Sequence, residues 1–292
     1  MTYVVGYSPH KNDLGALELA CQFARSESAP VHAVTVVPRG WGTPVVGATD
    51  REFEQWAAAE GEASAELAMR NLAEFSGIEA SASWVTGRSV PQALLEQATA
   101  LDATILVVGS GEDASPGQIA LTSKSGRLVH SSTIPVAIAP RGYEANGARI
   151  NRITVGFRDD DATWTLLQRV ARIARQVSAS LRVVTFAVEP QTMVTSGVSH
   201  AEAQVLERWI EQAEAAQRES AEYLRSEGFS DDLELSIAQG HTWRKAVRSL
   251  AWKADDILVV GSSSTHQLAQ VFLGSSAAKI VRHSPVPVVV VP

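Results

Sequence analysis

The feature of this sequence that most constrains its fold is an internal repeat. When the 292-residue sequence is shifted by 152 positions, residues 105–140 align with residues 257–292 without a gap, and 14 of the 36 pairs are identical. Ordinary composition would give about two or three identities over that length. The repeat therefore predicts two copies of one fold, at residues 1–140 and 151–292, joined by a linker at 141–150.

Each copy alternates strand-like and helix-like patterns. In the first copy, short apolar runs predict strands at 4–7, 31–37, 81–85, 104–108 and 135–139. Periodic apolar positions predict helices between them at 13–28, 52–75, 91–100 and 123–130. Strands that alternate with helices favour a parallel sheet covered on both faces. The fold class is therefore two tandem open-sheet α/β domains, each with five mainly parallel strands.

Composition narrows the classes of partner. The chain has 25 Lys and Arg against 32 Asp and Glu, a net charge of -7, so we expect no nucleic-acid partner. The apolar runs 105–108 and 286–291 are far shorter than the roughly 20 residues of a membrane-spanning helix, so we expect no membrane partner. A single cysteine, Cys21, and an N-terminus without signal-peptide features predict a cytoplasmic protein.

Glycines and serines mark one candidate ligand site in the second copy. An open parallel sheet binds ligands at the carboxyl ends of its strands, where the strand order reverses. There the fourth strand leads into Gly261-Ser262-Ser263-Ser264, and after nine intervening residues Gly274-Ser275-Ser276 opens the last helix. Small residues allow backbone N–H groups to approach an anion, and the helix N-terminus adds partial positive charge. This pattern predicts a phosphate site.

The whole chain resembles the universal stress protein family in its tandem form. The resemblance is carried by Val259-Val260-Gly261-Ser262, by Gly274-Ser275 and by the closing segment 281–290, VRHSPVPVVV. The ATP-binding branch of that family has a motif of Gly, two residues, Gly, nine residues, Gly and then Ser or Thr. By this resemblance Gly261, Gly274 and Ser275 hold motif positions, and Ser264 stands in place of the second glycine.

The resemblance also implies a binding position for adenine. The family has an Asp soon after the first strand, where this sequence has Arg158, and Phe186 lies near the position that packs on adenine. An arginine can stack on a base or meet a phosphate. The candidate ligand is ATP with Mg²⁺, and the candidate residues are Gly156, Arg158, Phe186, Gly261, Ser264, Gly274, Ser275 and Ser276.

The first copy departs further from the motif. Gly109 and Ser123 remain, but Glu112 and Thr122 replace the second and third glycines, and Ser8 stands at the Asp position. A carboxylate repels a triphosphate, and a β-branched threonine resists close approach of a ligand. We therefore expect the first copy to bind no nucleotide.

No catalytic motif accompanies this site. The sequence lacks a phosphate loop, a dinucleotide fingerprint, a nucleophile elbow and a His-Glu-x-x-His metal motif. We therefore expect that the protein is not an enzyme. The favoured interpretation is a stress-response regulator that binds adenine nucleotide and signals to an unidentified protein partner. A nucleotide-free interaction module with vestigial pockets and a weak ATP hydrolase are the alternatives.

The resemblance further implies that the final strands, 135–139 and 287–291, pair the two halves as a pseudo-dimer, and that two chains can form a homodimer.

Overall fold

The structure is a computed structural model that describes residues 2–9, 13–40, 48–188, 199–229, 233–262 and 273–292. The chain divides into two compact units, Met1–Arg149 and Ile150–Val291. Each unit has its own hydrophobic core and its own parallel strands. Within the described ranges, no helix has the length and apolarity needed to cross a membrane.

The first unit is doubly wound. Its strands are β1 (Thr2–Tyr7), β2 (Val31–Pro38), β3 (Ala80–Gly87), β4 (Ala103–Gly109) and β5 (Val136–Ala139). Its helices are α1 (Gly15–Glu27), α2 (Ala48–Ala73), α3 (Val90–Ala100) and α4 (Ser123–Ser131). The strand order is β3-β2-β1-β4-β5, and every pair within it is parallel. The predicted α/β fold class is thereby confirmed, with element boundaries that differ by a few residues.

The second unit repeats this arrangement. Its strands are β6 (Arg152–Gly156), β7 (Ser180–Val188), β8 (Leu233–Gly240), β9 (Asp256–Gly261) and β10 (Val288–Val291). Its helices are α5 (Asp161–Val177), α6 (Ser199–Ser226), α7 (Trp243–Arg248) and α8 (Ser275–His283). All the strands are parallel, in the order β8-β7-β6-β9-β10. The chain adds β7 and β8 on one side of β6, and then β9 and β10 on the other, so the order of addition reverses between β6 and β9. This reversal is the switch point at which such sheets bind ligands.

The apolar face of α1 shows how the predicted periodicity becomes a core. Leu17, Cys21 and Ala24 are fully or almost fully buried against the sheet, whereas Leu14, which precedes the helix, is 41% exposed. Burial raises the pKa of the Cys21 thiol to about 12. The thiolate that redox or metal chemistry needs is therefore scarce at neutral pH, and Cys21 acts as a core residue.

The segment predicted as a linker packs on the first unit. The buried Tyr143 hydroxyl donates to Oε1 of Gln22 on α1 at 2.7 Å. Nη1 of Arg141 donates to the carbonyl oxygens of Glu112 and Ala114 at 2.6 and 2.8 Å. Residues 141–149 therefore close the core of the first unit instead of spanning open solvent.

A buried ionic cluster lies at the amino ends of the strands of the second unit. Asp256, at the start of β9, accepts hydrogen bonds from Nη2 of Arg152 at 2.6 Å and Nη2 of Arg182 at 3.4 Å. The guanidinium carbon of Arg182 lies 4.6 Å from the centre of the Trp252 ring. Arg182 and Asp256 are completely buried. Because ligands bind at the opposite ends of these strands, we interpret this cluster as structural.

Candidate functional site

Three of the predicted residues meet at the switch point of the second unit. Gly156 ends β6 and Gly261 ends β9, two neighbouring strands in which Val155 pairs with Val259. A Cβ atom on Gly156 would lie 3.9 Å from Cε2 of Phe186. The half-buried Phe186 ring on β7 therefore lies beside the end of β6.

The first turn of α8 has no side-chain cap among the described residues. Gly274 is its N-cap, and no side chain accepts a hydrogen bond from the first-turn amides in the described part of the chain. Ser275 and Ser276 are exposed, and the first turn contains no acidic residue. Unsatisfied N–H groups and the positive end of the helix dipole can stabilise an anion here.

Arg158 is bound to its own loop. Its side chain is 74% exposed, and its Nε donates to Oδ2 of Asp160 at 2.6 Å. Asp160 in turn caps α5 by accepting from the backbone N–H of Thr163 at 2.9 Å. Nε of Arg158 is therefore engaged within the loop, and its Nη1 and Nη2 groups are the donors that could contact a ligand.

The sequence did not lead us to two acidic residues near Arg158, because only Arg158 itself aligns with the Asp of the family. Asp159 accepts a hydrogen bond from Nε1 of Trp164 at 3.2 Å, and Asp160 caps the helix. Partial burial alone would raise the pKa of Asp160, but the Thr163 amide and the Arg158 guanidinium bring it below its ordinary value. The acidic run at 159–161 was the signal that could have located them.

Ser264, the residue that replaces the second glycine of the motif, lies outside the described residues. The structure thus places seven of the eight candidate residues. Of these, Gly156, Phe186 and Gly261 lie at the strand ends, while Gly274, Ser275 and Ser276 form the start of α8. Arg158 follows β6 but is directed to Asp160.

The corresponding helix of the first unit is closed by its own side chains. Thr122 Oγ1 accepts from the N–H of Ser125 at 3.1 Å, and Ser125 Oγ accepts from the N–H of Thr122 at 2.8 Å. The preceding loop folds back on itself, since Ser110 Oγ accepts from the N–H of Ala120 at 2.8 Å. This reciprocal capping box uses hydrogen bonds that an anion would need. It gives a physical reason to expect no nucleotide in the first unit.

Removing the Thr122 side chain tests this description. We expect Thr122→Ala to lower the free energy of unfolding by about 1 kcal/mol, because the N-cap acceptor is lost. Urea unfolding followed by circular dichroism measures the change. Ser123→Ala, which alters an exposed neighbour, should change stability by less than about 0.5 kcal/mol. Equal losses in both variants would show that the capping box contributes nothing specific.

The fold and the open helix end define a class of protein. Each unit is a doubly wound α/β domain, a class in which ligands bind at the switch point, and the second unit has an exposed helix N-terminus there. The model of the universal stress protein family matches residues 1–140 and 149–292. The chain belongs to the universal stress protein family.

Relatives agree with this assignment. The Universal stress protein Rv2319c of Mycobacterium tuberculosis is 39% identical over 295 residues, which cover 100% of both chains. The crystal structure of a universal stress protein from Archaeoglobus fulgidus DSM 4304 has a TM-score of 0.65 at 16% identity, covering 99% of this chain and 97% of that one. Another universal stress protein from Archaeoglobus fulgidus was solved in complex with dAMP. The match to it covers 48% of this chain and 97% of that one, at 20% identity and a TM-score of 0.36.

Proposed function

We propose that this protein is a non-catalytic stress-response regulator that binds an adenine nucleotide, ATP with Mg²⁺, in its second unit. The observation that carries the proposal is the difference between two equivalent helices. The first turn of α8 has no side-chain cap in the described residues, whereas α4 is closed by Thr122 and Ser125. An anionic ligand is thus favoured in one unit and disfavoured in the other.

The proposed ligand has two recognition features. Its phosphates would meet the first-turn amides and the hydroxyls of Ser275 and Ser276, and its base would contact the Phe186 ring. Mg²⁺ would enter with the triphosphate, whose oxygens supply part of its octahedral ligand set while water molecules supply much of the rest. Arg158 would add a phosphate or base contact through its Nη1 and Nη2 groups, since its Nε is bound to Asp160.

Binding without turnover is the favoured form of this proposal. Asp160, next to the switch point, has a pKa below its ordinary value because of its hydrogen bonds to Thr163 and Arg158. A general base works best with a pKa near the working pH, so Asp160 is suited to capping and not to proton abstraction. A cytoplasmic location is part of the proposal, in keeping with the buried, unpaired Cys21.

Calorimetric titration of the intact protein with ATP and Mg²⁺ tests the proposal. We expect one nucleotide per chain, and we expect Ser275→Glu to abolish the binding, because its carboxylate would stand where the phosphates bind. Ser123→Glu is the matched control, since Ser123 opens α4 as Ser275 opens α8 and is equally exposed. It should bind as the unchanged protein does.

Each other result favours a named alternative. Absence of binding heat would favour the nucleotide-free interaction module. The Arg158–Asp160 pair also supports that candidate, because it engages Nε of the arginine at the adenine end of the proposed site. Loss of binding in Ser123→Glu alone would move the site to the first unit and overturn the proposal. Release of phosphate from bound ATP would replace the regulator by the weak hydrolase.

A further inference from the structure

Two neighbouring helices of the second unit carry a concentrated positive charge. Five of the 25 Lys and Arg lie on α7 and α8, and neither helix contains any of the 32 Asp and Glu. These five residues are all exposed: Arg244, Lys245, Arg248, Lys279 and Arg282. In a chain with a net charge of -7, this segregation creates a local field opposite in sign to the rest of the molecule.

The basic side chains belong to one surface. Arg244 and Arg248 are four residues apart on α7, and Lys279 and Arg282 are three apart on α8, spacings that place each pair on one helix face. The two helices pack together, with Nζ of Lys279 lying 5.7 Å from the centre of the Trp243 ring. We call Trp243 and four of the five basic residues, Arg244, Arg248, Lys279 and Arg282, the α7–α8 surface.

The charges of this surface converge on a histidine. Partial burial and the positive charges of Arg244, Arg248 and Arg282 together lower the pKa of His283, which ends α8. A lowered pKa means that the protonated imidazole is disfavoured there. The positive charges of three guanidinium groups, on two different helices, therefore all lie close enough to His283 to affect its pKa.

No described acidic group neutralises the surface. Among the residues that the structure describes, Arg244, Arg248, Lys279 and Arg282 take part in no ion pair, whereas Arg152 and Arg182 in the same unit are paired with Asp256. Exposed cations that form no ion pair with the described residues can bind an anionic surface. The desolvation that docking requires is modest, because arginine is more weakly hydrated than an ammonium group.

The fold itself does not require the cations of α7, whereas α4, the helix of the first unit that corresponds to α8, also carries two cations, Lys124 and Arg127. The helix of the first unit that corresponds to α7 is α3, with the sequence VPQALLEQATA, which has no basic residue and carries Glu96. Both helices occupy the same place in the same strand order. The first unit thus shows that an α/β unit of this kind forms without a basic α7, so the fold alone does not account for the charge of α7.

We propose that the α7–α8 surface docks a short acidic segment of a partner protein. The surface is small, since helices of 6 and 9 residues extend only about 9 and 14 Å. That length fits two or three turns of an acidic peptide, and Trp243 together with the arginines has the composition of an interface hot spot. A long nucleic acid would instead meet the repulsion of the remaining, strongly acidic chain.

Fluorescence anisotropy with a labelled ten-residue polyglutamate peptide tests the proposal on the intact protein without nucleotide. We expect binding at low salt that weakens by about tenfold or more at high salt, because exposed charges are screened. The double variant Arg244→Glu/Arg248→Glu should weaken it by about tenfold or more. The docking proposal does not depend on the nucleotide-binding proposal, so a negative result for one does not affect the other.

The controls separate this site from the overall charge. Arg169→Glu/Arg172→Glu on α5 reverses two exposed arginines and changes the net charge equally, and it should leave peptide binding unchanged. Lys279→Gln/Arg282→Gln, on the other helix, should also weaken binding, which keeps the test valid if the α7 variant fails to fold. Equal weakening by the α5 control, or no binding of the peptide, would overturn the proposal. Tighter binding of a ten-nucleotide DNA strand than of the peptide would overturn it in favour of nucleic acid.

Discussion

Replacing Asp256 by alanine is expected to lower the free energy of unfolding of the second unit by about 3–5 kcal/mol. Asp256 is completely buried and bonds both Arg152 and Arg182. Its removal leaves the Arg182 guanidinium, which is also completely buried, without its nearest carboxylate. Urea unfolding followed by circular dichroism should show a transition at clearly lower denaturant concentration.

Glu234 provides the control for this experiment. It lies 3.0 Å from Nη1 of Arg152 and 3.6 Å from Nη1 of Arg182, but its side chain is 46% exposed. Exposed ion pairs contribute between about 0 and 1 kcal/mol, so Glu234→Ala should have a small effect. Similar losses in both variants would mean that burial of Asp256 is not what makes the cluster stabilising.

Gly240→Ala should be the second strongly destabilising change. A Cβ atom at Gly240 would lie 2.5 Å from the backbone nitrogen of Ala246 and 2.9 Å from the carbonyl carbon of Lys245. Because both atoms belong to the backbone of α7, no side-chain rotation relieves the clash and the helix has to move. We expect a loss of about 1–3 kcal/mol in the free energy of unfolding, measured by urea unfolding.

The equivalent glycine of the first unit makes a matched comparison. A Cβ atom at Gly87 would contact side-chain atoms, Cβ of Ala93 at 3.0 Å and Cγ1 of Val36 at 3.2 Å. The Val36 side chain can rotate, whereas Cβ of Ala93 moves only with the backbone of α3. Because both distances are longer than the 2.5 Å contact at Gly240, Gly87→Ala should cost less than Gly240→Ala. A larger loss for Gly87→Ala would contradict the argument from backbone contact.

The secondary structure was predictable because local pattern and tertiary burial agree. Apolar runs such as 105–108 form strands at the centre of their sheet, and the repeat supplied the same prediction twice. Arg182 shows where local pattern fails. It interrupts an apolar strand and would be expected to face solvent, yet Asp256 and Trp252, from distant parts of the sequence, make its complete burial tolerable.

The candidate site was predictable in position but not in its side-chain partners. Strand ends and a glycine-serine helix start located the switch point. The reading of Thr122 as a residue that obstructs a ligand missed its role as a helix cap, because its partner is Ser125 and not the Glu or Gln of the usual capping box. The pairing of Arg158 with Asp160 depends on side-chain orientation, which spacing in a sequence does not specify.

Under the proposal that nucleotide binds at α8 and not at α4, the number of sites also determines how the protein would respond to ligand concentration. A chain with one receptive helix end titrates along a simple hyperbola, with a Hill coefficient of one. Its occupancy then rises from one tenth to nine tenths only over a roughly eighty-fold range of free ligand. Such a chain reports a graded level, and a steeper response would require coupling between separate chains.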